Sequence, residues 1–295
     1  VKREKGQRQT AQSVFTFYPF TLLPFNPLSL SPFYPFSLPI ISLLVLVLIF
    51  FATSVVGVVT GSNSLIAVPA MFQFGIDPRV AVATNMFGLT FMAVGGSLPF
   101  LGKGMIDRRR LPALILLTLA GSVLGALLVL VVSSRKLPLI ISISMIAVAA
   151  FILLKRDVGV APPETKATRG SEVAGYGLTF ALGIYGGFFS GGYVTMLTVV
   201  FVALFRMTFV EAVATTKIVN VSSSFIATLV FMRNGLVDYK LGVLLGLSMF
   251  AGAFVGARLA LKLNNLWLRR IFLATVILLA MKILLYDFLW HSLLR

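Results

Sequence analysis

From Ile40 onward the chain alternates long apolar runs with short polar breaks. The runs fall at about 40–59, 62–75, 80–101, 111–132 and 138–154, and resume at about 173–189, 192–205, 209–232, 240–262 and 268–289. About 20 apolar residues suffice for a helix to cross a hydrocarbon layer about 30 Å thick. In that solvent only helices and closed barrels satisfy their own backbones. The pattern predicts an all-α polytopic membrane protein. The stretch 155–172 (KRDVGVAPPETKATRGSE) is polar, of mixed charge and holds adjacent prolines, so it reads as a linker. Residues 1–39 differ from all of this. A basic start, VKREKGQRQT, leads into Phe-Pro pairs with a proline every three to five residues from Pro19 to Pro39. Such spacing forbids a regular helix. The segment is expected to be a disordered, low-complexity tail, and it is assigned no function. The predicted organisation is therefore 1–39 tail, 40–154 first transmembrane repeat, 155–172 cytoplasmic linker and 173–290 second repeat.

The word repeat rests on an ungapped offset of 131 residues. Gly61 matches Gly192, Ala81-Val-Ala-Thr84 matches Ala212-Val-Ala-Thr215, and Gly104 and Asp107 match Gly235 and Asp238. Further on, Ala120-Gly121 and Gly125-Ala126 match Ala251-Gly252 and Gly256-Ala257. In each half the second run, 62–75 or 192–205, is too short to span comfortably and follows a glycine-bearing break. Paired short segments of this kind point to a binding site between duplicated halves. About eight crossings plus two short broken or re-entrant helices are expected.

Basic residues choose between topologies. With ten crossings they distribute evenly. With the two short runs re-entrant, fifteen lie inside, among them Lys103, Arg108 to Arg110 and the linker residues, and seven outside, among them Arg79, Arg135 and Arg206. The positive-inside rule favours the second arrangement, which places the N-terminus, the linker and the C-terminus in the cytoplasm. This placement also accounts for the net charge of +16 without nucleic acid as a partner. A charged fraction of 12% in 295 residues, 58% of them hydrophobic, agrees with a lipid bilayer as the surrounding medium.

Against that background Lys217 stands out. It lies roughly 12 Å from the start of the 209–232 helix at about 1.5 Å per residue, too deep for its stem to reach water. An ammonium there requires a partner or a wet cavity, and such residues mark functional sites. Asn220 and Ser224 follow at i+3 and i+7 on the same helix face, with Thr216 flanking. One cation with neutral amide and hydroxyl donors suits a sulfonate or carboxylate. Thr84 and Asn85 are the first-half counterparts of Thr215 and Thr216 and are expected in the same cavity. So are Asn63 and the backbone amides around Gly61, Gly191 and Gly192, because helix starts favour anions. Asp107 and Asp238 are expected to make turns or caps. No acidic residue falls clearly mid-membrane, so no carboxylate proton relay is visible. The one histidine is His291, there is no cysteine, and no Gly-x-x-x-x-Gly-Lys phosphate loop occurs. These absences argue against an enzyme, a metal site or a cofactor.

The repeated motifs resemble those of the sulfite exporter TauE/SafE family, also called toluene-sulfonate uptake permeases. The likeness runs over about residues 40–290. It is carried by Gly61-Ser-Asn-Ser-Leu-Ile-Ala-Val-Pro69, Phe74-Gly-Ile-Asp-Pro78, Ala81-Val-Ala-Thr-Asn85 and Gly104-Met-Ile-Asp107, and by Ser190-Gly-Gly192, Ala214-Thr-Thr-Lys217-Ile-Val-Asn220 and Gly235-Leu-Val-Asp238. The two Gly-x-x-x-Gly-Ala runs complete it. The resemblance implies a permease for sulfur-containing anions such as sulfite and organosulfonates. Two departures stand: Ser62, Asn63 and Ser64 replace loop glycines, and Met86 occupies the first-half place that Lys217 holds in the second. The expected function is a secondary transporter moving small anions across the cell membrane by alternating access. The alternatives are an anion channel or a non-transporting membrane scaffold.

Overall fold

The computed structural model describes residues 39–61, 63–100, 107–154 and 167–262. The tail through residue 38, Gly104, most of the linker and the expected 268–289 helix lie outside the described residues. What is described is helical: α1 (Ile40–Thr60), α2 (Asn63–Gln73), α3 (Pro78–Ser97) running into a short 3-10 turn, α4 (Leu111–Val131), α5 (Leu137–Leu154), α6 (Arg169–Phe189), α7 (Tyr193–Phe205), α8 (Phe209–Arg233) and α9 (Tyr239–Lys262). Five of these, α1, α3, α4, α8 and α9, contain stretches long and apolar enough to cross a membrane.

Local chemistry sets the helix starts. α3 begins at Pro78 because the Asp77 carboxylate accepts the N–H groups of Arg79 and Val80, and proline supplies a ready φ at the first helical position. α8 opens with a capping box, Thr208 and Glu211 each satisfying the other's backbone. α6 begins at Arg169, four residues before the expected 173. Thr168 accepts the Ser171 N–H, and Glu172 sits favourably in the first turn. The last residues of the expected linker are thus the first turn of a helix.

α3 and α8 are the most buried of the long helices and pack against each other. Outward from this central pair, α9 packs on α3 and α1, and α4 packs on α8 and α6. The fourth helix of each half therefore lies among the helices of the other half. Two bundles result, one of α1, α2, α3 and α9, the other of α6, α7, α8 and α4. Each visiting helix is hydrogen-bonded into its host. The Asp238 N–H, just before α9, donates to Thr84 Oγ1 of α3 at 3.0 Å. The Asp107 N–H, before α4, donates to Thr215 Oγ1 of α8 at 3.3 Å. The four residues are two pairs at the 131-residue offset.

Glycine lets the visiting helices approach. A Cβ at Gly252 of α9 would lie 2.5 Å from the Phe51 carbonyl oxygen, and one at Gly256 would collide with the Val55 oxygen. In the other bundle a Cβ at Gly121 would lie 2.6 Å from the Phe180 oxygen, and one at Gly125 would strike that of Ile184. At the base of α4 Arg110 adds an ion pair with Glu172 of α6, a 2.7 Å pair with Asp107, and a place over the Phe205 ring of α7. Asp107 and Asp238 also accept first-turn amides, Arg109 and Arg110 in one case and Leu241 in the other, so both act as caps.

Gly125→Ala and Gly256→Ala force backbones apart and should each destabilise the protein by about 1–3 kcal/mol. Gly177→Ala of α6, with nothing within 4 Å of the new methyl, should be neutral or stabilising by about 0.5–1 kcal/mol. Thermal melting in detergent measures the difference; equal melting of all three variants would refute the close approach.

Candidate functional site

A cavity opens at the seam between the two bundles. The α1 bundle contributes Gly57 and Val58 from α1, Gly61 just past its end, Asn63 and Ser64 from α2, and Leu89, Met92 and Ala93 from α3. The α6 bundle contributes Ser190, Val194 and, from α8, Lys217 and Asn220. The unfilled space is about 20 Å³, room for about one water molecule.

Two chain breaks build one wall. α1 ends at Gly61 in the left-handed conformation (φ 66°), and α7 starts after Gly192 in the same region (φ 78°), which glycine adopts without steric penalty. The breaks meet: the Gly192 N–H donates to the Gly61 carbonyl at 3.1 Å. A Cβ at Gly61 would stand 2.7 Å from Val194 Cβ. Asn63 and Ser64 open α2 at the cavity, and Val194 belongs to the first turn of α7. Both short helices thus begin there, each with the partial positive charge of a helix start.

Lys217 is 4% exposed, and among the described residues its ammonium has no ion-pair partner, since both ion pairs found there belong to Arg110. The other polar walls are neutral: Asn63, Ser64, Ser190 and Asn220. Asn63 is held rigidly. Thr53 donates to the Ile49 carbonyl at 2.7 Å and accepts from Asn63. The Asn63 NH₂ therefore faces Thr53 (3.0 Å) and Ser54 (2.9 Å), and its Oδ1 is buried without a partner. Asn220 Oδ1 is likewise buried and unpartnered. Each such acceptor left unmet costs about 1–3 kcal/mol. Asn85 Nδ2 donates to Ser64 Oγ at 3.0 Å, which leaves the Ser64 proton free to point into the cavity.

Of the residues expected from sequence, Lys217, Asn220, Asn63 and Gly61 come together here. Asn85 stands one step behind, as the support of Ser64. Thr84 and Thr216 do not reach the cavity: Thr84 receives the Asp238 amide, and Thr216 turns back to the Val213 carbonyl at 2.9 Å. Ser224 bonds the Asn220 carbonyl instead. The loop amides are also spoken for. Gly61 N–H goes to the Gly57 oxygen, Gly191 N–H to Phe189, and Gly192 N–H to Gly61. Gly61 therefore shapes the wall, Gly191 and Gly192 stand behind it, and none of the three presents a free donor. Ser64 and Ser190 bring hydroxyls to the cavity wall instead; both lie in the motifs already quoted, but nothing in their sequence separates them from neighbouring serines. Among the described residues no group of three or more His, Cys, Asp or Glu side chains gathers as a metal would need.

Comparison with known proteins identifies the family. The model of the family "Sulfite exporter TauE/SafE" matches residues 45–283. The chain is 31% identical to "Probable membrane transporter protein ORF9" of a Sinorhizobium species over 211 residues, 72% of this chain and 80% of that protein. It is 28% identical to "Probable membrane transporter protein YfcA" of Escherichia coli K12 over 260 residues, 85% of this chain and 93% of that one. A "Probable membrane transporter protein" of Haemophilus influenzae is 28% identical over 227 residues, 75% of this chain and 84% of its own length. No solved structure matches significantly. With a family model spanning most of the apolar helices and the whole cavity, the chain belongs to the sulfite exporter TauE/SafE family of membrane transporters.

Proposed function

We propose that this protein is a secondary transporter that carries small anions, sulfite or organosulfonates, across the cell membrane by alternating access. The observation that carries the reading is Lys217: a buried cation without a carboxylate partner among the described residues, at a bundle seam where two helices begin. An anion is the ligand that compensates such a charge. The Ser64 hydroxyl and the starts of α2 and α7 add neutral donors and partial positive charge around it.

The exchanged fourth helices and the paired Thr84–Asp238 and Thr215–Asp107 bonds support a tandem repeat with matching halves. They also suggest which bodies move. The units are the two mixed bundles, not residues 40–154 against 173–290, since α4 and α9 are fastened to the opposite half. The cavity as it stands has room for about one water, and an anion enters when the bundles part. In the membrane, eight crossings with two short re-entrant helices put the N-terminus, the 155–172 linker and the C-terminus on the cytoplasmic side, in line with the positive-inside count.

In proteoliposomes, uptake of sulfite, sulfoacetate or taurine should show counterflow from a preloaded interior, and a carboxylate control should not. Flux without trans-acceleration would identify an anion channel; no anion flux at all would favour a scaffold. Lys217→Met should weaken anion binding about 10–100-fold through loss of a charge-assisted contact. It should also raise Tm by about 2–4 °C, because it removes a buried charge with no ion-pair partner among the described residues. A Lys217→Met protein that transports like wild type would overturn the reading. For topology, the chain has no cysteine, so single substitutions can be labelled cleanly. Arg108→Cys should react with an impermeant thiol reagent only from the cytoplasmic side and Arg135→Cys only from outside; the reverse would overturn the eight-crossing arrangement.

A further inference from the structure

We propose that Arg79 and Asp77 form the latch of a gate: they clasp the end of α4 across the seam, and the clasp opens when the bundles part at the face where α3 begins. The proposal rests on the transport reading above, in which the two bundles separate.

α4 ends without a cap of its own. No basic residue lies in its last turn, and its C-cap residue, Val132, is extended. The last carbonyls of a helix carry partial negative charge and need donors. Here the donor comes from the other bundle. Arg79 of α3 donates from both Nε and Nη2 to the Val132 carbonyl oxygen, at 2.8 and 2.5 Å. Two residues on, Ser134 Oγ donates to Asp77 Oδ1 at 3.3 Å. The start of α3 fixes this pair, because the same carboxylate oxygen accepts the N–H groups of Arg79 and Val80. α4 itself is seated on α6 through Gly121 and Gly125, so these bonds tie the α1 bundle to the α6 bundle.

The position suits a contact that breaks and re-forms. Arg79 is half-buried at the first turn of α3. Leu89, in the cavity wall, lies further along the same helix, about 15 Å away at 1.5 Å per residue. A guanidinium released at such a rim is taken up by water. Deeper in the seam the bundles meet through neutral groups, Thr90 with Thr228 at 3.2 Å and Gly192 with Gly61. The repeat adds a second argument. At the 131-residue offset Arg79 matches Val210 and Asp77 matches Thr208. Val210 has no side-chain donor, and Thr208 is engaged with Glu211 in the capping box of α8. The start of α8 therefore offers no equal clasp, and the two ends of the seam are held unequally. A contact made in one state and absent in another shifts the balance between them, so this latch favours the state shut at the α3 end.

The test uses Val194→Cys, a single thiol in the cavity wall of a chain without cysteine. Its modification by methyl methanethiosulfonate is timed in lipid nanodiscs, where the reagent reaches both faces. Adding Arg79→Ala should raise the rate about 10-fold, through loss of a hydrogen bond from a charged donor. Arg79→Lys keeps the charge without the two-pronged geometry and should fall between. Ser223→Cys, buried and outside the cavity lining, should react at the same rate with or without Arg79→Ala. A parallel rise there would mean a loosened fold and would overturn the latch, as would an unchanged rate at Val194→Cys. In a second arm, a short cleavable bis-thiosulfonate bridges Asp77→Cys and Ser134→Cys. Bridging should stop sulfoacetate counterflow in proteoliposomes, and reduction should restore it. Counterflow that continues through the bridged protein would overturn the latch and leave the transport reading intact. A wild-type protein that shows no counterflow of sulfite, sulfoacetate or taurine would overturn both.

Discussion

Helices in a bilayer gain little by hiding apolar side chains from one another, because lipid tails are equally apolar. What holds this protein together is the close approach of backbones, and everything else follows from where glycine permits it. Gly121 and Gly125 seat α4 against the carbonyls of α6, and Gly252 and Gly256 seat α9 against those of α1. Those contacts pull each fourth helix out of its own half and into the other. Once that exchange is made, the α3–α8 contact becomes a seam between two mixed bundles, with the broken helices meeting across it at Gly61 and Gly192. The cavity is the space that this seam leaves around a lysine.

Much of the helical layout was legible in the sequence, because apolar run length and capping residues are local signals. The expected 209–232 and 111–132 runs emerge as Phe209–Arg233 and Leu111–Val131. Lys217 was legible for the same reason: a charge within an apolar run announces itself wherever the helix packs. The exchange of α4 and α9 was not legible. The glycine runs show that something approaches closely but not which helix does, and a repeat offset is silent on partners. The polar residues divided on a similar principle. Thr84, Thr216 and Asn63 look alike in sequence as small polar groups near the right place. Their roles depend on whether a carbonyl one turn back or an amide from another loop takes up the side chain first, and for Thr216 and Thr84 it does. The amides of Gly61, Gly191 and Gly192 failed as donors because the two breaks bond internally and to each other.

The matched contacts of the two halves make their chemical inequality more informative. Met86 occupies the position equivalent to Lys217, is buried, and stays out of the cavity lining. Among the described residues a single positive charge therefore faces a wall of neutral groups contributed mainly by the other bundle. In the transport reading this division has a mechanical consequence. Lys217 alone would hold an anion on the α6 bundle in any conformation, and such binding drives no closure. A ligand can shift a conformational equilibrium only by binding one state better than another. The group that supplies the difference is the one brought across the seam, the Ser64 hydroxyl, held by Asn85 of its own bundle. The lysine then sets what sign of ligand is admitted, and the serine of the opposite bundle sets whether the cavity closes on it.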